Sequence, residues 1–168
     1  MDGIKDNIVI IGMPGCGKST IGEIIAKNLD YKFFDMDQYI VNISGKTIKE
    51  LFDVSEEYFR EWETKACKEL AKLNGSVIAS GGGVIKKNEN IEILRKSSTI
   101  IFIDRPVENI VKDIEVGTRP LLKDGPHKAY NLYNERYELY RKAADIIVEN
   151  NKTLQEIITT IQEIILKK

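Results

Sequence analysis

The stretch Gly12-Met13-Pro14-Gly15-Cys16-Gly17-Lys18-Ser19-Thr20 constrains this chain more than any other. It follows the β-branched run Ile8–Ile11 and opens a segment of helical spacing, Thr20–Leu29. In that strand-to-helix setting, GxxxxGK followed by Ser is the pattern of a phosphate-binding loop. Glycines let the loop wind so that successive backbone N–H groups face one anion, and the helix behind adds the positive end of its dipole. Lys18 is then placed to reach the β- and γ-phosphates of a bound nucleotide, and the Ser19 hydroxyl to ligate Mg²⁺. Gly12, Pro14, Gly15, Cys16, Gly17 and Thr20 complete the expected nucleotide-binding loop, which binds ATP if the chain is a kinase. Cys16 beside the helix start could act as a redox switch; a small filler is the plainer reading.

Four more apolar runs, Tyr31–Phe34, Val77–Ala79, Thr99–Ile103 and Ile146–Val148, read as buried strands. Helical spacing marks Glu56–Leu73, Val107–Ile114, Ala129–Ala143 and Leu154–Leu166. The alternation predicts an α/β fold with a parallel sheet covered on both faces. Two stretches break the rhythm. Asp37–Leu73 holds consecutive helical patterns with no strand between, and Val116–Pro126 carries the breakers Gly117, Pro120, Gly125 and Pro126. A substrate-binding insert (about 37–73) and a mobile lid (about 115–127) are expected there, within one domain spanning 1–168.

Lysine plus arginine number 25 against 26 acidic residues, so no basic field favours nucleic acid. Met1–Lys5 does not open a signal peptide, and no run nears the roughly 18 apolar residues that span a bilayer, so a cytoplasmic protein is expected. Cys16 and Cys67 lack metal-type spacing, so reduced thiols and no zinc are expected.

A phosphate loop alone does not name the phosphate acceptor. The second strand run ends Phe33-Phe34-Asp35-Met36-Asp37, two acids at alternate positions on the carboxyl edge, where ligands of open α/β sheets sit. If the strand continues to Asp37, both side chains point the same way. Asp35 is assigned to the metal side, through water, because Mg²⁺ keeps much of its hydration. Asp37 is assigned to the acceptor hydroxyl, with helix capping as its structural alternative. Asp104, ending Ile100–Ile103, rivals Asp35, although Asp104-Arg105-Pro106 also reads as a helix start.

Six arginines stand beside nineteen lysines, so each planar, bidentate donor is informative. Arg60 shares a helix face with Glu63, in the spacing of an ordinary surface ion pair. Arg119 lies in the breaker-rich loop, where a cation could close over phosphates. Arg136 begins Arg136-Tyr137-Glu138-Leu139-Tyr140 on a later helix. The third strand run ends Ser80-Gly81-Gly82-Gly83, whose backbone N–H groups are open to close approach. His127, the only histidine, reads as an exposed bystander.

In order and over nearly the whole chain, the phosphate loop, Asp35-Met36-Asp37, Phe59-Arg60 with Glu63, Gly81-Gly82-Gly83, Arg119-Pro120-Leu121 and Arg136 with Leu139-Tyr140 resemble the shikimate kinase family. The resemblance implies a three-layer P-loop kinase fold with a five-stranded parallel sheet of order 2-3-1-4-5, an insert that binds shikimate, and a lid. It implies that Asp37 meets the reacting hydroxyl, that Arg60 and Arg136 hold the substrate carboxylate, and that Gly82 and Gly83 support the ring hydroxyls. Lys18, Asp37 and Arg119 would carry catalysis, with Mg²⁺ and ATP, in a monomer. Lys112 and Lys152 would flank the nucleotide. Many relatives have an arginine seven residues before the lid arginine, stacking near adenine; this chain has Lys112, which cannot stack as a planar group does. The lid stretch Glu115-Val116-Gly117-Thr118 also holds few glycines.

Other readings meet obstacles. A regulatory GTPase needs an NKxD signature, and Asn151-Lys152-Thr153-Leu154 has leucine where the base-reading acid belongs. Gluconate kinase and nucleoside monophosphate kinases are the rival small-molecule kinases. A non-catalytic ATP-binding module would not need Lys18, Ser19, Asp35 and Asp37 together.

Overall fold

The computed structural model describes residues 5–115 and 125–167. Its centre is β1 (Asn7–Ile11), every residue of which is buried. β1 pairs in parallel with β3 (Ser76–Ala79) on one side and β4 (Ser98–Asp104) on the other. β2 (Lys32–Asp35) extends the sheet beyond β3 and β5 (Ile146–Glu149) beyond β4, giving the order β2-β3-β1-β4-β5. The run Ile-Val-Ile-Ile in β1 and Ile-Ile-Phe-Ile in β4 is what two-sided burial requires, because helices cover a parallel sheet on both faces.

The helices are α1 (Lys18–Leu29), α2 (Met36–Ser44), α3 (Ile48–Val54), α4 (Glu56–Leu70), α5 (Asn88–Arg95), α6 (Val107–Glu115), α7 (Pro126–Ala143) and α8 (Leu154–Leu166). α3 and α8 begin with reciprocal capping boxes, Thr47 with Glu50 and Thr153 with Glu156, which satisfy exposed amides at both ends of the motif. α1 packs with α8, α4 with α2, α3 and α5, and α6 with α7. None of the described helices is long and apolar enough to cross a membrane.

The fold differs from the sequence expectation in three places. A 3₁₀ turn (Val84–Lys86) and α5 fill the β3–β4 connection, where no helix was expected. Pro126 and His127 belong to the first turn of α7 and not to a loop. Gly125 with φ 97° stands just before Pro126, and proline suits a first helical turn because its missing N–H has no partner to lose there. Finally, β2 stops at Asp35, and α2 begins at once with Met36.

Topology sends the P-loop, Asp35, the Ser80–Gly83 turn, Asp104 and Asn150 to one edge of the sheet, the carboxyl ends of its strands. That edge is where ligands of this architecture bind.

Candidate active site

The P-loop winds through left-handed backbone at Gly12, Gly15 and Gly17, with φ of 153°, 85° and 103°. A side chain at Gly12 would place its Cβ 2.6 Å from Cys16 Sγ and 2.8 Å from the Ile103 carbonyl, so the turn is closed to any other residue. Cys16 is fully buried under the loop, and its carbonyl accepts from Asn150 Nδ2 at 2.9 Å. It is a filler. Lys18 Nζ donates to the carbonyls of Gly12 (2.8 Å) and Met13 (2.9 Å), which holds the ammonium across the loop's mouth.

Ser19 Oγ donates to Asp35 Oδ2 at 2.9 Å, and Asp35 Oδ1 accepts from the Gln38 amide at 3.1 Å. Asp35, not Asp37, therefore caps α2, and strand alternation is not what places the two acids. Asp37 lies in the first turn of α2. Its carboxyl is pushed above the ordinary aspartate range, first by burial and then by the charge of Asp35, while Lys18 and Arg60 pull it back. Asp104 is engaged elsewhere: it accepts from Tyr137 Oη at 2.8 Å, which pushes that phenol up to about 12.

The turn after β3 is built around three glycines. A Cβ on Gly81 would stand 3.1 Å from Asp37 Oδ1 and 3.3 Å from Glu63 Oε2. On Gly83 it would strike the Arg60 guanidinium, 2.4 Å from Nη1 and 2.5 Å from Nη2. On Gly82 it would meet the Pro14 ring at 2.9 Å, so the turn and the P-loop touch directly. Gly82→Ala is expected to cost about 1–3 kcal/mol, because neither the proline ring nor the loop under it can yield cheaply. A denaturant midpoint equal to that of the parent would show that Pro14 moves aside.

Arg60 is not the surface ion pair that its spacing suggested. It is 7% exposed and pairs through Nη1 with Glu63 Oε1 at 3.0 Å, the latter residue being 1% exposed. Its Nη2 reaches Glu56 at 3.2 Å, which Lys86 also meets at 2.6 Å. The Glu63 carboxyl is pushed up by burial, against the pull of Arg60 and Arg136. Arg136, 9% exposed on α7, interacts with Glu63 and with buried Tyr140, and its Nε has no hydrogen-bond partner. Tyr140 Oη donates to the Gly82 carbonyl at 2.5 Å, tying α7 to the glycine turn. Asp37, Glu63, Arg60 and Arg136 thus share one electrostatic neighbourhood on the P-loop side of the sheet.

A second cleft, of about 320 Å³, opens at the start of α1 between Gly17, Thr20, Arg105, Asn109, Asn150 and Lys152. Thr20 and Lys152 were expected at the nucleotide. Arg105 and Asn109 were not.

The sequence profile of shikimate kinases matches residues 14–166. The chain belongs to the shikimate kinase family. It is 53% identical over 163 residues to the shikimate kinase of Clostridium beijerinckii, covering 97% of this chain and 96% of that one. A shikimate kinase from Acinetobacter baumannii, solved in complex with shikimate, superposes with a TM-score of 0.88 at 32% identity over 96% of this chain and 93% of that one. A gluconokinase from Sinorhizobium meliloti superposes with a TM-score of 0.62 at 18% identity over 98% and 93% of the two chains, a likeness of fold alone.

Within this shikimate kinase fold, Ser19 and Asp35 offer two hard oxygen donors side by side. That suits Mg²⁺, which takes one or two protein ligands and leaves its remaining positions to water and phosphate. Of the other residues singled out in the sequence, Lys112 is exposed on α6 and does not line the cleft. His127 is exposed. Arg119 lies outside the described residues.

Proposed function

We propose that this shikimate kinase family member transfers the γ-phosphate of ATP to the 3-hydroxyl of shikimate, giving shikimate 3-phosphate and ADP on the route to chorismate and the aromatic amino acids. The observation that carries this reading is a pair of buried guanidinium groups around Glu63, Arg60 also facing Asp37 and Arg136 with an N–H left over, since its Nε has no partner. A buried donor without a partner costs about 1–3 kcal/mol, and a ligand that accepts from it recovers that cost. A carboxylate is the anion that two planar forks fit. A family relative is solved with shikimate bound, and shikimate carries both a carboxylate and ring hydroxyls.

In this reading, Arg60 and Arg136 grip the substrate carboxylate, and the Gly82 and Gly83 backbone supports the ring hydroxyls. Asp37 accepts the proton of the attacking 3-hydroxyl. The P-loop amides and Lys18 hold the β- and γ-phosphates, and the Lys18 ammonium exchanges its two loop carbonyls for phosphate oxygens. Mg²⁺, held by Ser19 and through water by Asp35, would neutralise charge on the triphosphate. Arg119 acts on the transferring phosphate from the segment assigned as lid, about 115–127, whose last two residues belong to the first turn of α7, and residues of about 37–73 form the acceptor insert. We assign the protein to the cytoplasm, as a monomer.

The test is ADP release with ATP and Mg²⁺ against shikimate, quinate, gluconate and the common nucleoside monophosphates. Shikimate alone should support rapid turnover. Turnover with gluconate or a nucleotide, and none with shikimate, would overturn the assignment.

A further inference from the structure

Arg105 stands in the β4–α6 connection, between Asp104 at the end of β4 and Pro106. Its Nη1 donates to the Gly15 carbonyl of the P-loop at 2.7 Å and to Asp113 Oδ2 of α6 at 2.6 Å. A guanidinium nitrogen of this kind carries two hydrogens, so these bonds commit Nη1 fully. They also fix the group at one end, and the side chain lines the cleft together with Thr20, Asn109, Asn150 and Lys152. The side chain retains 21% of its exposure, enough to present a surface without losing its two anchors.

A pre-set planar cation stacks well on a nucleobase, because it offers both a flat face and charge, and little freedom is lost on contact. The rest of the wall combines the Asn109 and Asn151 amides and the Thr20 hydroxyl, suited to the polar edge of a base, with the apolar Ile21 and Leu154, suited to its face. Lys112, the expected neighbour of adenine, is exposed on α6 and does not line the cleft. We infer that Arg105 is the base-binding residue of this chain, stacking on the purine of ATP from a position braced by the P-loop and α6.

This inference rests on ATP being the phosphate donor, but a binding measurement tests it without turnover. Calorimetric titration of the full chain with ATP and with inorganic tripolyphosphate, which has no base, separates the two roles of the side chain. Arg105→Ala should weaken ATP by about tenfold or more while changing tripolyphosphate less than about twofold. Equal losses on both ligands would mean that Arg105 only braces the loop, and an unchanged ATP affinity would mean that it does not touch the base. Either result overturns the inference. Arg105→Lys keeps a cation for Gly15 and Asp113 and should restore the melting temperature but not ATP affinity; full recovery of ATP affinity by lysine would overturn the stacking. Failure of the phosphotransfer reading would appear separately, as absence of shikimate-dependent ADP release by the parent chain.

Discussion

Asp37→Asn is expected to lower kcat by about 10²- to 10⁴-fold while ATP affinity stays within a few-fold of the parent's, the loss typical of removing a positioned proton acceptor. Asparagine keeps the shape and the hydrogen-bonding oxygen but cannot take a proton at neutral pH. The direction of the carboxyl's shift adds a second observable. Burial and Asp35 hold the Asp37 proton on to higher pH than an ordinary aspartate allows, so the acid limb of kcat/KM should lie above the usual carboxylate range. As pH falls through the raised pKa the base becomes protonated and the rate drops. The variant should lose that limb. The stability sign runs the other way from that of a salt-bridged acid: a carboxyl whose folded pKa exceeds its unfolded one costs stability at any pH above both. Asp37→Asn should therefore melt no lower than the parent at pH 7. Steady-state kinetics, ATP titration and melting on the same preparation separate these effects, and a variant with near-parent kcat would remove Asp37 from the chemistry.

The sheet was legible because buried strands leave uninterrupted β-branched runs, as in Ile8–Ile11 and Thr99–Ile103. Helix α5 was not: in Asn-Glu-Asn-Ile-Glu-Ile-Leu-Arg the segment turns only Ile91 and Leu94 fully inward among its apolar side chains, and its start at Lys87 has no side-chain cap. Eight residues give too few turns for a period to show. The two acids lie at the end of β2 and the start of α2, but strand alternation is not what sets them there. Aspartate ends strands and caps helices with the same side chain, and only the backbone at Asp35, extended with φ −89° and ψ 121°, shows that the helix begins there.

Burial of Arg60 was invisible for a different reason. Its local sequence, Glu-Glu-Tyr-Phe-Arg-Glu-Trp-Glu, has the charge density of a solvated face. What buries it is Gly83, which comes from another element and leaves space for the guanidinium by having no Cβ. Arg105 is likewise defined by a carbonyl 90 positions away in sequence. Contacts of that range have no period to detect. Sequence shows which residue types are available to a site, and the sheet edge decides which of them meet.

Arg136→Ala is expected to reduce kcat/KM for shikimate by about 2–5 kcal/mol, roughly 30- to 5,000-fold, with ATP affinity little changed. The two arginines assigned to the substrate carboxylate are not equivalent. Arg60 already spends Nη1 on Glu63 and both Nε and Nη2 on Glu56, so much of its charge is neutralised before any ligand arrives. Arg136 has a buried Nε with no partner, and so more of its binding capacity is left for an anion. Its removal also leaves Glu63 with one counter-charge fewer, which pushes that carboxyl still further up and weakens the hold on Arg60. Arg136→Lys is the informative companion. Lysine restores the charge near Glu63 but has no planar fork, so it should recover melting temperature while leaving the shikimate KM well above that of the parent. If alanine left the KM for shikimate unchanged, or if lysine recovered it fully, the substrate carboxylate would have to bind elsewhere, and Arg136 would be a counter-ion for Glu63 and nothing more.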